Sequence, residues 1–222
     1  MMAVADPERA LALAHAPAGR RAALAALWAL DERLCAVAMA ARDPMIGAIR
    51  LAWWRETLAG LDSGPIVGEP LIEALRAGTL VAGIDGRALA GLVDGWEMLL
   101  DAMPLADSAL AEHAEQRGES LWRIGALLLG RPASPAQLRA GGGWALVDLA
   151  FRVADGDTAR RAAEMARARL GQGGERWPTM LRPLGMLVAL ARNDLTRVAS
   201  RTRPVGSPGR VARMLWHRIS GW

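Results

Sequence analysis

Two neighbouring segments indicate the fold class most clearly: PAGRRAALAALWALDERL (residues 17–34) and DPMIGAIRLAWWRETLAGL (residues 43–61). In the first segment and just beyond it, apolar side chains recur every three or four residues, at Leu24, Leu27, Leu30, Leu34 and Val37. This spacing places them on one stripe of an α-helix. The second segment begins with Asp-Pro, an N-cap residue followed by proline in the first turn, which is a helix start signal. Both segments therefore predict long helices.

Helical periodicity continues along the rest of the chain, and strand alternation is almost absent. We predict an all-α, single-domain bundle of about nine or ten helices joined by short loops. The predicted helices span residues 7–16, 19–41, 44–61, 69–76, 85–102, 107–129, 134–153, 158–170 and 178–199. A loop rich in glycine and proline is predicted at residues 62–68.

The 222 residues suit one large domain, and the charge is unevenly distributed along them. We predict a helical domain over residues 1–200, followed at 201–222 by a Pro/Gly linker and a basic amphipathic tail. After Asp194 there are six arginines and no acidic residue, so the last 28 residues carry a charge of +6. The net charge of the whole chain is only +4, so the preceding residues carry a small negative charge. The basic character therefore belongs to the tail, and the domain is mildly acidic.

The composition excludes several classes of protein. A single cysteine, Cys35, leaves no intramolecular disulfide and no cysteine-based zinc site. The longest run without Asp, Glu or Arg is the ten residues 10–19, half of the roughly 20 that a membrane-spanning helix needs. Asp6 and Glu8 precede the first apolar stretch, which is atypical of a secretory signal peptide. We expect a cytoplasmic protein, or one peripheral to the inner membrane of a bacterium.

The two opening segments resemble the squalene/phytoene synthase family. Residues 43–61 are similar to its P-M-x-G-x-I-R-L-x-W-W-R signature, and residues 17–34 to its R-x-A-L-x-A-L-Y-A-F helix, with Trp28 at the aromatic position. Later segments resemble further family helices in the same order, at residues 92–105, 113–130 and 179–195. The resemblance implies a helical bundle of the isoprenoid synthase type, somewhat truncated between residues 140 and 176.

The resemblance also implies a reaction whose metal-binding motifs can be looked for in this sequence. Enzymes of the family ionise an allylic diphosphate with Mg²⁺ and join two isoprenoids head to head, and two D-x-x-x-D motifs on facing helices hold the metal. Alignment on Trp28 places Cys35, Ala36 and Met39 where the first motif belongs, and nothing after Ala140 fits the second. We predict that both motifs are missing, with no metal site and no cofactor. Mg²⁺ is expected only if the protein is an enzyme.

Acidic side chains elsewhere give weak catalytic candidates. Asp94, Glu97 and Asp101 form a stripe at helical spacing. Acidic pairs four residues apart occur at Glu69/Glu73, Glu97/Asp101 and Glu115/Glu119. We interpret these groups as solvated helix faces or arginine partners in preference to a metal site.

The tryptophans and arginines of the signature allow two interpretations. Trp53, Trp54 and Arg55 could line an isoprenoid tunnel, or they could be core residues and packing anchors of the helix pair. In the second interpretation, which we favour, Arg50 and Arg55 pair with buried carboxylates.

The segment VARMLWHRISGW (residues 211–222) forms an amphipathic helix in our prediction. We place Val211, Met214, Leu215 and Trp222 on one side and Arg210, Arg213 and His217 on the other. Arginine and tryptophan together suit an anionic membrane surface. The predicted membrane residues are Arg210, Arg213, Trp216, Arg218 and Trp222. The alternatives are a last helix docked on the domain and a disordered end; no nucleic-acid partner is expected.

Three functional hypotheses remain open. The first is a family member without catalysis, acting as an assembly factor or a lipid- or protein-binding factor at the membrane. Its R-L-x-W-W-R region resembles the assembly factors of respiratory complex I. The second is an active head-to-head prenyltransferase in isoprenoid, carotenoid or hopanoid synthesis. The third is a carrier that holds an isoprenoid or another lipid in the helical cavity.

Overall fold

The computed structural model describes residues 4–63, 68–171 and 175–222. Residues 64–67, in the predicted loop at 62–68, lie outside the described residues. Over the described ranges the chain forms ten α-helices and no strand, so the all-α prediction is confirmed. The helices are α1 (Pro7–Ala14), α2 (Arg21–Met39), α3 (Pro44–Ala59), α4 (Pro70–Thr79), α5 (Gly86–Glu97), α6 (residues 107–128), α7 (Pro135–Arg152), α8 (Gly156–Leu170), α9 (Arg182–Asp194) and α10 (Pro208–Ser220).

Helix α6 consists of three consecutive parts without a break. It begins as an α-helix at Asp107–Glu112, widens to a π-helix at His113–Glu119 and returns to an α-helix at Ser120–Leu128. A π-helical stretch changes which side chains face inwards, and such stretches are frequent at functional sites. Here it turns His113 and Arg117 into the core.

Local sequence signals explain where several helices begin. The Asp6 side chain accepts hydrogen bonds from the backbone N–H groups of Glu8 and Arg9, and proline occupies the first turn. Asp43 caps α3 in the same way, through the N–H of Met45. Ser134 and Gln137 form a reciprocal capping box at the start of α7. The predicted helix starts therefore agree closely with the observed ones.

Two predicted helices are shorter than expected because their ends tighten into 3₁₀ turns. The helix predicted at 85–102 ends as an α-helix at Glu97 and continues as the turn Met98–Leu100. The helix predicted at 178–199 is α-helical only over α9, with 3₁₀ turns at Thr179–Leu181 and Leu195–Arg197. Helix ends commonly tighten in this way because their last carbonyls lack α-helical partners.

The core is built around α2 and α7. Trp28 of α2, Trp96 of α5 and Trp122 of α6 are fully buried there. Helix α7 contains three consecutive glycines, and a Cβ atom at Gly141 would lie 2.6 Å from the ring of Trp122. At Gly143 it would lie 2.6 Å from Leu170 of α8. These glycines therefore allow close helix packing.

The C-terminal segment is docked on the rest of the fold. Helix α10 packs against α9, and its Arg210, Met214 and His217 are buried. The backbone N–H of Trp177 donates to the carbonyl of Gly221 at 2.9 Å. Arg182 donates to two carbonyls in the last turn of α10 at 2.9 Å each. The two sides of the predicted boundary at residue 200 thus pack together.

The sequence analysis assigned the faces of α10 incorrectly. It placed Met214 with Leu215 and Trp222, whereas Met214 is buried and the other two side chains are exposed. Arg210 and His217 face inwards with Met214, because buried carboxylates and a tryptophan ring receive them. None of the helices in the described ranges has the length and hydropathy to cross a lipid bilayer.

Candidate functional site

A cleft of about 550 Å³ opens between α1, α2 and the end of α7. It contains the three residues at which the resemblance places the first aspartate motif. The lining residues are Ala5, Asp6, Arg9, Asp31, Glu32, Cys35, Ala36, Met39 and Arg152. We take this cleft as the candidate functional site.

The aligned positions of the first motif give the cleft an uncharged wall. Cys35 is buried, and burial raises the pKa of its thiol, so the side chain is a neutral thiol at neutral pH. Met39, one turn further along α2, is partly exposed. Neither side chain is an oxygen donor of the kind that Mg²⁺ prefers.

Asp31 lies on α2 four residues before Cys35, and it is fully buried. It accepts hydrogen bonds from Arg9 at 2.6 Å, from Arg117 at 2.9 and 3.1 Å, and from the Trp96 indole at 3.0 Å. Burial alone would raise the pKa of Asp31, but the charges of Arg117 and Arg9 outweigh it and hold the pKa well below its usual range. Asp31 is therefore an ionised carboxylate whose oxygens are already occupied.

Asp148 of α7 is a second buried carboxylate that Arg117 contacts. It accepts from Arg117 at 2.7 Å, from Arg152 at 2.8 Å and from Arg203 at 3.1 Å. Burial would raise its pKa, but the charges of Arg152, Arg117 and Arg203 lower it further than burial raises it. Because Asp148 and Arg152 are four residues apart, α7 presents an aspartate and an arginine on one face.

Arg117 joins the two carboxylates and is itself fully buried. Its guanidinium lies over the rings of Trp96 and Trp144, at 4.1 and 4.7 Å from their centroids. In neutral His113 the Nδ1–H group donates to the Gly95 carbonyl at 2.5 Å, while Nε2 accepts from Arg117 at 3.3 Å. Burial and the charge of Arg117 lower the pKa of His113 to about 4, which keeps the ring neutral.

The ion pairs continue from the cleft to the C-terminal segment. Arg203 lies 3.3 Å from Asp194, and Arg210 binds both Asp194 and Glu8. Cations and anions alternate along this ion-pair chain, which runs Arg9–Asp31–Arg117–Asp148–Arg203–Asp194–Arg210–Glu8. The chain ties α1, α2, α6, α7, α9 and α10 together.

The sequence analysis missed most of this site. It did not single out Arg9, Asp31, Arg117, Asp148 or Arg152 as members of one cluster. Residues that pair with each other in this cluster are up to 86 positions apart in the chain, as Asp31 and Arg117 are. No local spacing in the sequence therefore reveals the pairs. The D-x-x-x-R spacing of Asp148 and Arg152, on the helix where D-x-x-x-D was sought, was the one available signal.

The weak catalytic candidates lie outside the cleft. Arg55 donates to Asp94 at 2.7 Å and also binds Glu97, and all three side chains are between 34% and 43% exposed. We call Arg55, Asp94 and Glu97 the surface cluster. The carboxylates that pair with Arg55 are therefore partly exposed, contrary to the buried partners we had expected. Asp101 lies beyond the end of α5. Together with Asp94 and Glu97 it lines a surface depression that is separate from the cleft.

The remaining acidic pairs contact arginines. Glu69 lies 3.7 Å from Arg33, while Glu115 and Glu119 lie 3.4 and 2.6 Å from Arg169. Across residues 4–63, 68–171 and 175–222, no group of three or more His, Cys, Asp or Glu side chains is arranged to hold a metal ion.

The signature residues are divided between core and surface. Trp28 and Trp54 are buried, and Trp54 packs edge-on against Trp53 with centroids 5.0 Å apart. Trp53 and Arg50 are exposed on α3. All four lie away from the lining of the cleft.

The predicted membrane residues are also divided. Arg210 is buried in the ion-pair chain and faces away from solvent. Arg213, Trp216 and Trp222 are exposed, and Arg218 is partly exposed.

Comparison with known proteins gives one match. A family model described as squalene/phytoene synthase matches residues 2–150, which is well over half of the chain. Neither the curated proteins nor the solved structures returned a match. The matched span contains Asp31, Arg117 and Asp148, while Arg152 and the arginines of the C-terminal segment follow it.

Proposed function

The chain belongs to the squalene/phytoene synthase family, and from this premise we propose that it is a member that acts by binding and not by catalysis. The observation that carries the proposal is the state of two carboxylates: Asp31, which lines the cleft, and Asp148, which Arg117 joins to it. Asp31 and Asp148 are saturated by arginine and indole donors.

The donor set does not fit a magnesium–diphosphate site. Mg²⁺ needs carboxylate oxygens that are free to coordinate it in an octahedral arrangement. At the cleft, Arg9 and Arg152 would repel the ion, while Cys35 and Met39 offer no oxygen. Glu32 accepts from the backbone N–H groups of Ala5 and Asp6. A metal could enter only after several charge-assisted hydrogen bonds had been broken.

We further propose that the chain belongs to the branch of the family whose members assist the assembly of respiratory complex I. In this role the partner is a protein, and the cleft is free to hold an isoprenoid or another lipid. An exposed apolar stripe on α3 supports a protein partner, since such stripes commonly mark interaction sites. The stripe consists of Met45, Ile46, Ile49 and Trp53.

An assay of pyrophosphate release tests the absence of catalysis. We expect the purified full-length protein to release no pyrophosphate above background from farnesyl or geranylgeranyl diphosphate with Mg²⁺. Release at an enzymatic rate that is lost in Glu97→Gln/Asp101→Asn would overturn the proposal. The head-to-head prenyltransferase hypothesis would then replace it.

A deletion strain tests the assembly role separately. We expect lower amounts of assembled complex I on native gels when the gene is deleted, and recovery when the wild-type gene is returned. Ile49→Ser/Trp53→Ser should fail to restore assembly, whereas Leu127→Ser, a change of an exposed leucine on α6, should restore it. Unchanged complex I in the deletion strain would exclude the assembly role and leave the result of the pyrophosphate assay standing.

A further inference from the structure

Helix α10 has one buried face and one exposed face. Its inner face carries Arg210, Met214 and His217 and is buried against the domain. Its outer face carries exposed apolar side chains at Leu215, Trp216 and Ile219, and Trp222 is exposed just beyond the end of the helix. We call these four residues the apolar stripe. Trp216 is 65% exposed and Ile219 is 72% exposed, which are high values for such large side chains. The apolar stripe is therefore not needed for docking the helix.

The charged side chains of α10 itself are all basic. No acidic residue follows Asp194, and Arg213 and Arg218 lie on α10 itself. Arg176 is exposed and donates to the carbonyl of Ser220 at the end of the helix. Within the part of the chain that the structure describes, neither Arg213 nor Arg218 has a carboxylate within ion-pair distance. In contrast, Arg203 and Arg210 have their charges balanced by the ion-pair chain.

We propose that the outer face of α10 binds the surface of an anionic lipid bilayer. Trp216, Ile219 and Trp222 enter the boundary between headgroups and acyl chains, and Arg213 and Arg218 contact the lipid phosphates. Tryptophan suits this boundary because its ring is apolar and its N–H group is polar. The long arginine side chains can reach the headgroups while the helix lies flat.

The basic residues of α10 favour an anionic bilayer over a protein as the partner. An apolar stripe on one exposed helix, flanked only by cations, matches a flat anionic surface over its whole length. The ion pairs of Arg210 with Glu8 and Asp194 hold the inner face on the domain at the same time. The helix thus attaches the folded domain to the bilayer without spanning it. This inference is independent of whether the domain catalyses a reaction.

Vesicle flotation tests the proposal with a matched control on another helix. The full-length protein is mixed with vesicles of phosphatidylcholine alone or with phosphatidylglycerol added. We expect binding to the anionic vesicles that falls with salt, since exposed charges are screened. Trp216→Ser/Ile219→Ser should weaken it by about tenfold or more, because the apolar area that leaves water is lost. Arg213→Gln should weaken it by about fivefold.

The control variant Ile49→Ser/Trp53→Ser removes the same residue types from the exposed stripe of α3 and should bind as the wild type does. All of these side chains are exposed, so circular dichroism and melting temperature should be unchanged. Three results would overturn the proposal: no binding of the wild type to anionic vesicles, equal binding to neutral vesicles, or loss of binding in the α3 variant alone. In the first case the outer face of α10 is left as a protein-binding surface.

Discussion

Two clusters of arginine and carboxylate groups in this protein have similar composition and opposite environments. The core cluster consists of Arg117, Asp31 and Asp148, and its side chains are at most 3% exposed. The surface cluster consists of Arg55, Asp94 and Glu97, and about two fifths of each carboxylate side chain is exposed. Both arginines bridge two carboxylates that lie on other helices or turns of the fold.

The difference shows that burial, more than residue type, sets the energetic importance of an ion pair. Water and salt screen the surface cluster, so the pairing adds little to stability. In the core, each charge has lost its hydration, so water cannot replace a partner that is removed. The core cluster also occupies the oxygens of Asp31 at the cleft, whereas the surface cluster leaves its own carboxylates partly open to solvent.

The largest effect is expected for Arg117→Met. It removes one arginine partner from each of the buried carboxylates Asp31 and Asp148 and should lower the free energy of unfolding by about 3–5 kcal/mol. Urea denaturation measures this change. A loss below about 1 kcal/mol for Arg117→Met alone would mean that the core cluster behaves like the surface cluster.

The next largest effect is expected for Arg210→Met at the C-terminal end of the ion-pair chain. It leaves Glu8 without an arginine partner and leaves Asp194 with Arg203 alone. The loss should be at the lower end of that range, about 3 kcal/mol, because the C-terminal segment can lift and let water reach both carboxylates. Limited proteolysis within residues 201–207 should become faster. Arg213→Met is the matched control; its side chain is exposed, so we expect a change within about 0.5 kcal/mol. Equal effects of the two variants would contradict the docking of α10.

The pH dependence of the free energy of unfolding tests whether His113 is neutral in the core. Because the pKa of His113 is lowered from 6.5 to about 4, the unfolded chain takes up a proton below about pH 6.5 and the folded protein does not. Stability should therefore fall by about 1.4 kcal/mol per pH unit between about 6.5 and 4 for this group. His217, whose pKa burial also lowers to about 4, adds a similar slope. His113→Gln should show a shallower slope than the wild type, and an identical slope would refute the neutral His113.

The smallest effect is expected for Arg55→Ala in the surface cluster. Exposed ion pairs contribute about 1 kcal/mol or less, so the free energy of unfolding should change by no more than that. The change should shrink further in high salt, which urea denaturation at two ionic strengths measures. A loss as large as that of Arg117→Met would show that burial does not account for the difference between the clusters.

The helices were predictable from sequence because their signals are local. N-cap residues, prolines in the first turn and the apolar stripes all act within a few residues, and they located nine of the helices closely. The two neighbours Trp53 and Trp54 show the limit of such signals. They share one signature, yet one is exposed and the other buried, because consecutive residues of a helix point in different directions and only packing decides which direction is covered.

The chain by itself determined the helical fold, the family resemblance and the concentration of positive charge after Asp194. The tertiary structure decided how those charges are used: Arg203 and Arg210 neutralise buried carboxylates, while Arg213 and Arg218 stay at the surface. It also placed Asp31 and Asp148 around a single arginine. Such pairings depend on segments far apart in sequence that meet only when the core forms, so no local pattern encodes them.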